Sequence, residues 1–113
     1  MNEIYANSKM RHIYAYPTDE SDSIWDNSCE VVINGSDISV KYYNPDHGFN
    51  QTYKGKDQGN GHYKLNYKGK SNDEESIIGK ATLHQLDKII EGWWFESLGD
   101  ENYEGAWKIE LIK

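Results

Sequence analysis

Short segments in which apolar and polar residues alternate run along most of the chain. In the clearest case one face carries Gly105, Trp107, Ile109 and Leu111. The intervening positions of that segment are mostly charged. A period of two is typical of a β-strand with one buried face. Segments of this kind, separated by connections rich in Gly, Asn and Asp, are predicted at residues 11–16, 29–33, 38–42, 49–56, 62–68, 77–84, 89–95 and 103–112.

These segments favour one fold. Strands that follow one another along a chain usually pair, so short connections predict an up-and-down order. About eight strands close into a small barrel, whose interior is filled by side chains or holds one small ligand. We therefore predict an all-β, antiparallel meander of about eight strands, closed into a lipocalin-like (calycin-like) β-barrel over residues 11–113. Residues 1–10 are polar and irregular, and we expect a flexible N-terminal arm there or else an initial strand.

Two adjacent tryptophans, Trp93 and Trp94, constrain the packing. Neighbouring residues of a strand point to opposite faces, so these two cannot both enter one core. If Trp94 points inward, an apolar patch is left on the outer face of three adjacent strands, formed by Ile78, Ile89, Trp93, Phe95, Ala106 and Ile112. Such patches commonly mark interfaces. We expect self-association there, unless the N-terminal arm covers the patch.

Charge and cysteine content narrow the functional classes. The net charge is −7 and Arg11 is the single arginine, which argues against binding to a nucleic-acid polymer because such surfaces carry a basic stripe. Cys29 is the only cysteine, so no disulfide forms within the chain. A bridge-free small β-protein suits a reducing compartment. With no secretory signal and no membrane-spanning run in these residues, a cytoplasmic location is expected.

Aromatic residues on the inward faces suggest a binding pocket. The predicted lining residues are Tyr14, Tyr53, Tyr63, Tyr67, Trp94 and Trp107. Aromatic side chains of this kind stack on flat rings such as nucleobases, but they also fill the core of a barrel that has no cavity. Arg11 is added as the one planar, two-pronged donor for an anionic ligand.

No local motif indicates catalysis or metal binding. The histidines at positions 12, 47, 62 and 84 lack the spacing of metal ligands along the chain, so a metal site would require the fold to assemble it. No Ser-His-Asp or Cys-His signature is present. We predict a protein that is not an enzyme and has no cofactor and no metal.

The second half of the chain resembles a bacterial barrel family. The segments are GHYKLNY at 61–67, IGKATL at 78–83, IEGWW at 90–94 and YEGAWKI at 103–109. They are similar to the SMODS-associated β-barrel domains of CBASS anti-phage effectors, whose pattern is G-x-Y-x-L-x-Y, then G-x-A-x-L, L-x-G-x-Y-F and G-x-x-x-L. This resemblance implies an eight-stranded barrel that senses a cyclic dinucleotide and then self-associates. Members of that family usually carry transmembrane helices before the barrel, and none is present in these residues.

Three hypotheses about function follow. The first is a non-catalytic barrel that binds a small ligand such as a cyclic-nucleotide signal and self-associates through its outer apolar face. The second is a protein-interaction barrel with a filled core and no ligand. The third is a lipocalin-like carrier of an apolar small molecule.

Overall fold

A computed structural model describes residues 2–15, 24–45 and 47–113, and the regular elements of this part are all β-strands. The strands are β1 (Asn2–Tyr14), β2 (Ile24–Asn34), β3 (Asp37–Asn44), β4 (Phe49–Asp57), β5 (His62–Lys70), β6 (Ser76–Leu86), β7 (Ile89–Leu98) and β8 (Glu101–Glu110). Nothing in these ranges forms a helix with the length and apolarity needed to cross a membrane.

The sheet closes on itself. Each strand pairs antiparallel with the next, and β1 also pairs with β8. This closing seam runs from Lys9 opposite Glu110 to Tyr14 opposite Gly105. The predicted all-β, up-and-down, eight-stranded barrel is thereby confirmed. We call the end at which β1, β3, β5 and β7 finish the upper end, and the opposite end the lower end.

The first strand begins much earlier than the sequence pattern indicates. Residues 2–10, expected to form a flexible arm or an initial strand, belong to β1 and pair with β2. The register of that pairing shifts between Tyr5 and Ser8. Both of these residues lie against the interior, although strict alternation would place them on opposite faces. An extra residue of this kind is a β-bulge, and it hides the period on which the prediction rests.

The second strand also begins earlier than predicted, at Ile24 rather than Cys29. The added part contains Asp26, Asn27 and Ser28, which are turn-forming residue types. In the structure they continue the strand, because pairing with β1 on one side holds them extended. Trp25 thereby reaches the interior and packs against the core.

Alternation separates the two faces of the barrel wall as predicted. Trp94 is 2% exposed and faces inward, whereas Trp93 is 48% exposed and faces outward. Large side chains fill the middle of the interior, among them Trp107, Tyr53 and Leu65. The rings of Trp107 and Tyr53 meet edge to face at 4.9 Å.

Gly105 allows the closing seam to form. It lies opposite Tyr14, and a Cβ atom at this position would collide with the backbone carbonyl oxygen of Ile13. A carbonyl group of a paired strand cannot swing aside as a flexible side chain can. Glycine at this position therefore permits a close approach of two backbones.

We expect Gly105→Ala to destabilise the barrel by about 1–3 kcal/mol, because the seam must open to admit the methyl group. Denaturation in urea, followed by tryptophan fluorescence, measures the loss. The matched control is Gly69→Ala, whose Cβ would meet the phenol end of the half-buried Tyr67, a side chain that can rotate rather than a backbone group. A loss at Gly105 no larger than at Gly69 would show that the backbone approach is not limiting.

Candidate ligand-binding site at the upper end of the barrel

An aromatic cluster surrounds His12 in the interior. The alternation of β1 turns His12 inward, where it is 2% exposed. Its ring stacks on that of Trp25, with centroids 4.1 Å apart and planes within 9° of parallel. Trp94 at 4.5 Å and Tyr14 at 4.9 Å pack against the same ring. Three aromatic side chains therefore shield the imidazole from water.

Hydrogen bonding defines the chemical state of His12. Trp107 Nε1 donates to His12 Nδ1 at 2.9 Å, across the closing seam where the two residues are directly opposite. A ring nitrogen that accepts a hydrogen bond carries no proton, so the hydrogen of the neutral ring is on Nε2. Burial lowers the pKa of His12 to about 3, which keeps the ring neutral at physiological pH. Nε2 is thus a buried donor, and it has no acceptor among the residues that the structure describes.

Gln51 provides a second buried donor. It faces inward from β4 and is fully buried. Its Oε1 accepts hydrogen bonds from Tyr42 Oη and Asn44 Nδ2, both at 2.8 Å. These two bonds identify the oxygen end of the amide, since an oxygen accepts and an NH₂ group donates. The remaining Nε2 has no well-aligned acceptor within residues 2–15, 24–45 and 47–113, although the Gln51 amide interacts with the Tyr67 hydroxyl.

Trp25 Nε1 is a third buried donor, and it too lacks an acceptor among the described residues. Trp25 stacks on His12, its ring centroid lies 6.1 Å from that of Tyr42, and Tyr42 bonds to Gln51. A buried donor without a partner costs about 1–3 kcal/mol, and native proteins normally satisfy it with a protein group, an ordered water or a ligand. N–H groups at one end of the barrel that lack a well-aligned acceptor in the described part of the chain suit a molecule that brings acceptors.

A buried carboxylate lies at the same end. Glu96 follows Trp94 on the inward face of β7 and is 6% exposed. Tyr53 Oη donates to Glu96 Oε2 at 2.7 Å, and His47 Nε2 lies 2.8 Å from Oε1. Burial, reinforced by the nearby Tyr42 and Glu96, raises the pKa of Tyr53 well above its usual range, so its hydroxyl stays a donor. These contacts satisfy a group that would otherwise be costly to bury.

His47 connects this carboxylate to the rim of the barrel. It lies in the turn between β3 and β4, and its ring stacks on that of Phe49 at 5.5 Å. Its backbone oxygen accepts a hydrogen bond from Asn72 Nδ2 at 3.0 Å, in the connection between β5 and β6. Two connections of the upper end are therefore joined to each other and to Glu96.

The structure brings together most of the residues predicted to line a ligand site. Ring contacts and a shared core join five of them: Tyr14, Tyr53, Tyr67, Trp94 and Trp107. Tyr63 faces inward too, but at the lower end, where its hydroxyl donates to Gln85 Oε1 at 2.8 Å. Arg11 lies on the outer face and pairs with Asp26 at 2.9 Å. It is separated from the cluster by the barrel wall, because its neighbour His12 takes the inward position.

The residues predicted for the outer patch come from the expected strands except Ile112, which lies beyond the end of β8 at Glu110, and they do not form one surface. The predicted side chains on the outer face are half-exposed or half-buried: Ile78, Ile89, Trp93, Phe95 and Ile112. On β7, Glu91 separates Ile89 from Trp93, and it pairs across to Lys108 of β8. The patch is therefore divided by a row of charged residues, which the sequence pattern did not reveal.

When the barrel closes, the part of this patch around Trp93 continues across β8 onto β1 and β2. Trp93 pairs with Ala106 of β8, Ala106 with Ile13 of β1, and Ile13 with Ile24 of β2. We call these four residues the seam patch. Ile24 is 50% exposed and Trp93 is 48% exposed. Two of the four belong to strands that become neighbours of β7 and β8 only when the barrel closes.

Sequence reasoning missed the polar members of the site. Glu96 lies two residues after Trp94, and Gln51 two residues before Tyr53, so both fall on faces already assigned inward. A polar residue at an inward position is the signal that would have found them. Trp25 gave no such signal, because its strand was not recognised.

Comparison with known proteins gives no match: no family model, no curated protein and no solved structure matches the chain. Across residues 2–15, 24–45 and 47–113, no group of three or more His, Cys, Asp or Glu side chains is arranged to hold a metal ion. Functional arguments for this protein therefore begin from the geometry of the site.

We expect His12 to make stability depend on pH. The pKa of His12 in the folded chain, about 3, lies below its ordinary value of 6.5. Between these two pH values the unfolded chain binds a proton at His12 and the folded chain does not. The contribution of neutral His12 is fully present above pH 6.5. It is lost as the pH falls toward 3, by up to about 1.4 kcal/mol per pH unit.

Urea denaturation of wild type and His12→Gln between pH 7 and 5 tests this expectation, since few carboxylates titrate in that window. The variant should show a shallower loss of stability with falling pH. His84→Gln, which removes an exposed histidine from the outer face, is the control. An unchanged slope in His12→Gln would contradict the assignment of a buried, neutral imidazole.

Proposed function

We propose that this protein is a non-catalytic barrel that binds a small, acceptor-bearing ligand at its upper end. The observation that supports the proposal is the set of buried N–H donors on His12, Trp25 and Gln51, for which the described residues provide no well-aligned acceptor. A core with only a structural role would be expected to pair such groups. The aromatic rings around them resemble the apolar lining of small-molecule sites, in which a few polar groups provide orientation.

The donors narrow the chemistry of the ligand. Carbonyl oxygens and unprotonated ring nitrogens accept from N–H groups, and a nucleobase carries both on a flat ring that stacks on aromatic side chains. Glu96 disfavours a phosphate group placed nearby, because a carboxylate repels an anion close to it. We therefore propose that a nucleotide enters with its base first and leaves its phosphates near the rim.

The specific ligand class that we propose is a cyclic-nucleotide signal of bacterial anti-phage defence. Supporting it is the resemblance of residues 61–109 to the barrels of CBASS effectors, since these strands contribute Tyr67, Trp94 and Trp107 to the site. A receptor of this kind would act in the cytoplasm and self-associate when the signal is bound.

We expect cyclic dinucleotides to raise the melting temperature of the protein. A ligand present at a hundred times its dissociation constant stabilises the folded state by about 2.7 kcal/mol. Thermal melts of the wild type with a panel of cyclic dinucleotides measure this effect. No shift with any of them, together with binding of a hydrophobic dye, would instead favour the apolar carrier.

Trp25→Phe gives the sharper test of the donor set. The indole N–H makes no hydrogen bond to the described residues, so the unliganded melting temperature should fall only as far as the smaller ring loses packing against His12. Affinity for the dinucleotide should fall about tenfold, the equivalent of one lost hydrogen bond of about 1.4 kcal/mol. Trp93→Phe, on the outer face, is the matched control. Equal affinity in wild type and Trp25→Phe would contradict the proposed role of the donors.

A second candidate function is protein interaction through the seam patch. It is favoured by the exposure of Trp93 beside Ile13 and Ile24, a continuous apolar row on an otherwise acidic protein. If the row is an interface between copies, the molar mass measured by light scattering will rise with protein concentration. Trp93→Ser should abolish that rise, whereas Ile4→Ser, at a 52% exposed site near the lower end, should not. A wild type that stays monomeric at high concentration would contradict self-association.

A further inference from the structure

Two histidines that are distant in the sequence become neighbours on the outer wall. His62 on β5 lies directly opposite His84 on β6, and their ring centroids are 4.4 Å apart. Both side chains are exposed. They lie toward the lower end, on the outside of the wall, so this pair is separate from the site described above.

The backbone pairing brings these two side chains close together. Gln85 N donates to Gly61 O at 2.8 Å, which makes Gly61 and Gln85 a hydrogen-bonded pair. Hydrogen-bonded and non-hydrogen-bonded pairs alternate along antiparallel strands, so His62 and His84 form a non-hydrogen-bonded pair. Side chains approach most closely in pairs of this type. The two imidazoles are thus held side by side by a sheet that is closed on itself.

A carboxylate continues the same row. Glu91 on β7 lies directly opposite His84, on the side away from His62, and is exposed. Side chains in directly opposite positions have Cβ atoms about 4.5–5.5 Å apart, so a rotation about the Glu91 side chain brings its oxygens toward the histidine pair. The row therefore offers two adjacent imidazoles, and a third ligand only after Glu91 rotates, since no three such side chains are arranged around a metal position in the described residues as they stand.

We propose that His62 and His84 bind one divalent transition-metal ion, Zn²⁺, Ni²⁺ or Cu²⁺, with Glu91 as the third protein ligand. Imidazole nitrogen is a preferred ligand of these three ions. Water completes the coordination, as at sites that keep an open position. The bound ion would link β5, β6 and β7 on the outside of the barrel. Cys29 does not compete for it, because the thiol is buried and its burial raises the pKa to about 12.

Calorimetric titration of the full chain, without an affinity tag, with Zn²⁺ and Ni²⁺ tests the proposal. We expect one ion per chain and a higher melting temperature in its presence. His62→Gln and His84→Gln should each weaken binding on the order of tenfold or more, because each removes one of two nitrogen ligands. Both positions are exposed, so the variants should fold, which the melting temperature without metal verifies.

Two further measurements separate this site from adventitious binding. Cu²⁺ bound to the wild type should show electron paramagnetic resonance couplings from two imidazole nitrogens, and from one in His84→Gln. Thr82→Ala, at a neighbouring exposed position of β6, is the control and should bind as the wild type does. Absence of saturable binding up to millimolar metal, or equal binding by the double variant His62→Gln/His84→Gln, would overturn the proposal. Unchanged affinity in Glu91→Gln would overturn the assignment of the third ligand.

Discussion

The pairing of β1 with β8 is the contact on which the rest of this structure depends. It sets His12 directly opposite Trp107, so that the indole N–H bonds to the imidazole inside the barrel. It also brings Gly105 against the carbonyl group of Ile13, an approach that a side chain would prevent. If the seam did not form, the inner face of one curved sheet would remain open to water at two free edges. Closure is what turns the alternation of each strand into a true inside and outside.

The interior is then divided along its height. Trp107, Tyr53 and Leu65 lie in the centre and are almost completely buried, which stabilises the fold by removing large apolar surfaces from water. Toward the upper end the lining becomes polar, with Gln51 and Glu96 buried among aromatic rings. Unpaired donors there conflict with the rule that buried polar groups find partners. Conflicts of this kind are concentrated at functional sites, which is the reason for assigning recognition to this end.

Much of the fold was predictable because alternation is a local property of the chain. The starts of β1 and β2 were not, since a bulge after Tyr5 breaks the period and Asp26 and Asn27 are residue types that favour turns. Within the candidate site, the aromatic members were predictable from their inward positions. The polar members of the site were not identified, although Glu96 follows Trp94 on a face already assigned inward. Arg11 could have been placed on the outer face from the sequence, because Tyr14 was assigned inward and residues three apart on a strand point to opposite faces.

By itself the sequence determined the class of secondary structure, the order of the strands and, for most of them, the side of the wall that each residue faces. These properties depend on residues that are close together in the chain. Only the tertiary structure decided which residues meet: Trp107 with His12, Tyr53 with Glu96, and His62 with His84. Such meetings depend on the register of paired strands and on the stagger required to close eight of them. Alternation contains neither quantity, since a strand that slides by two residues keeps the same pattern and exchanges all of its partners.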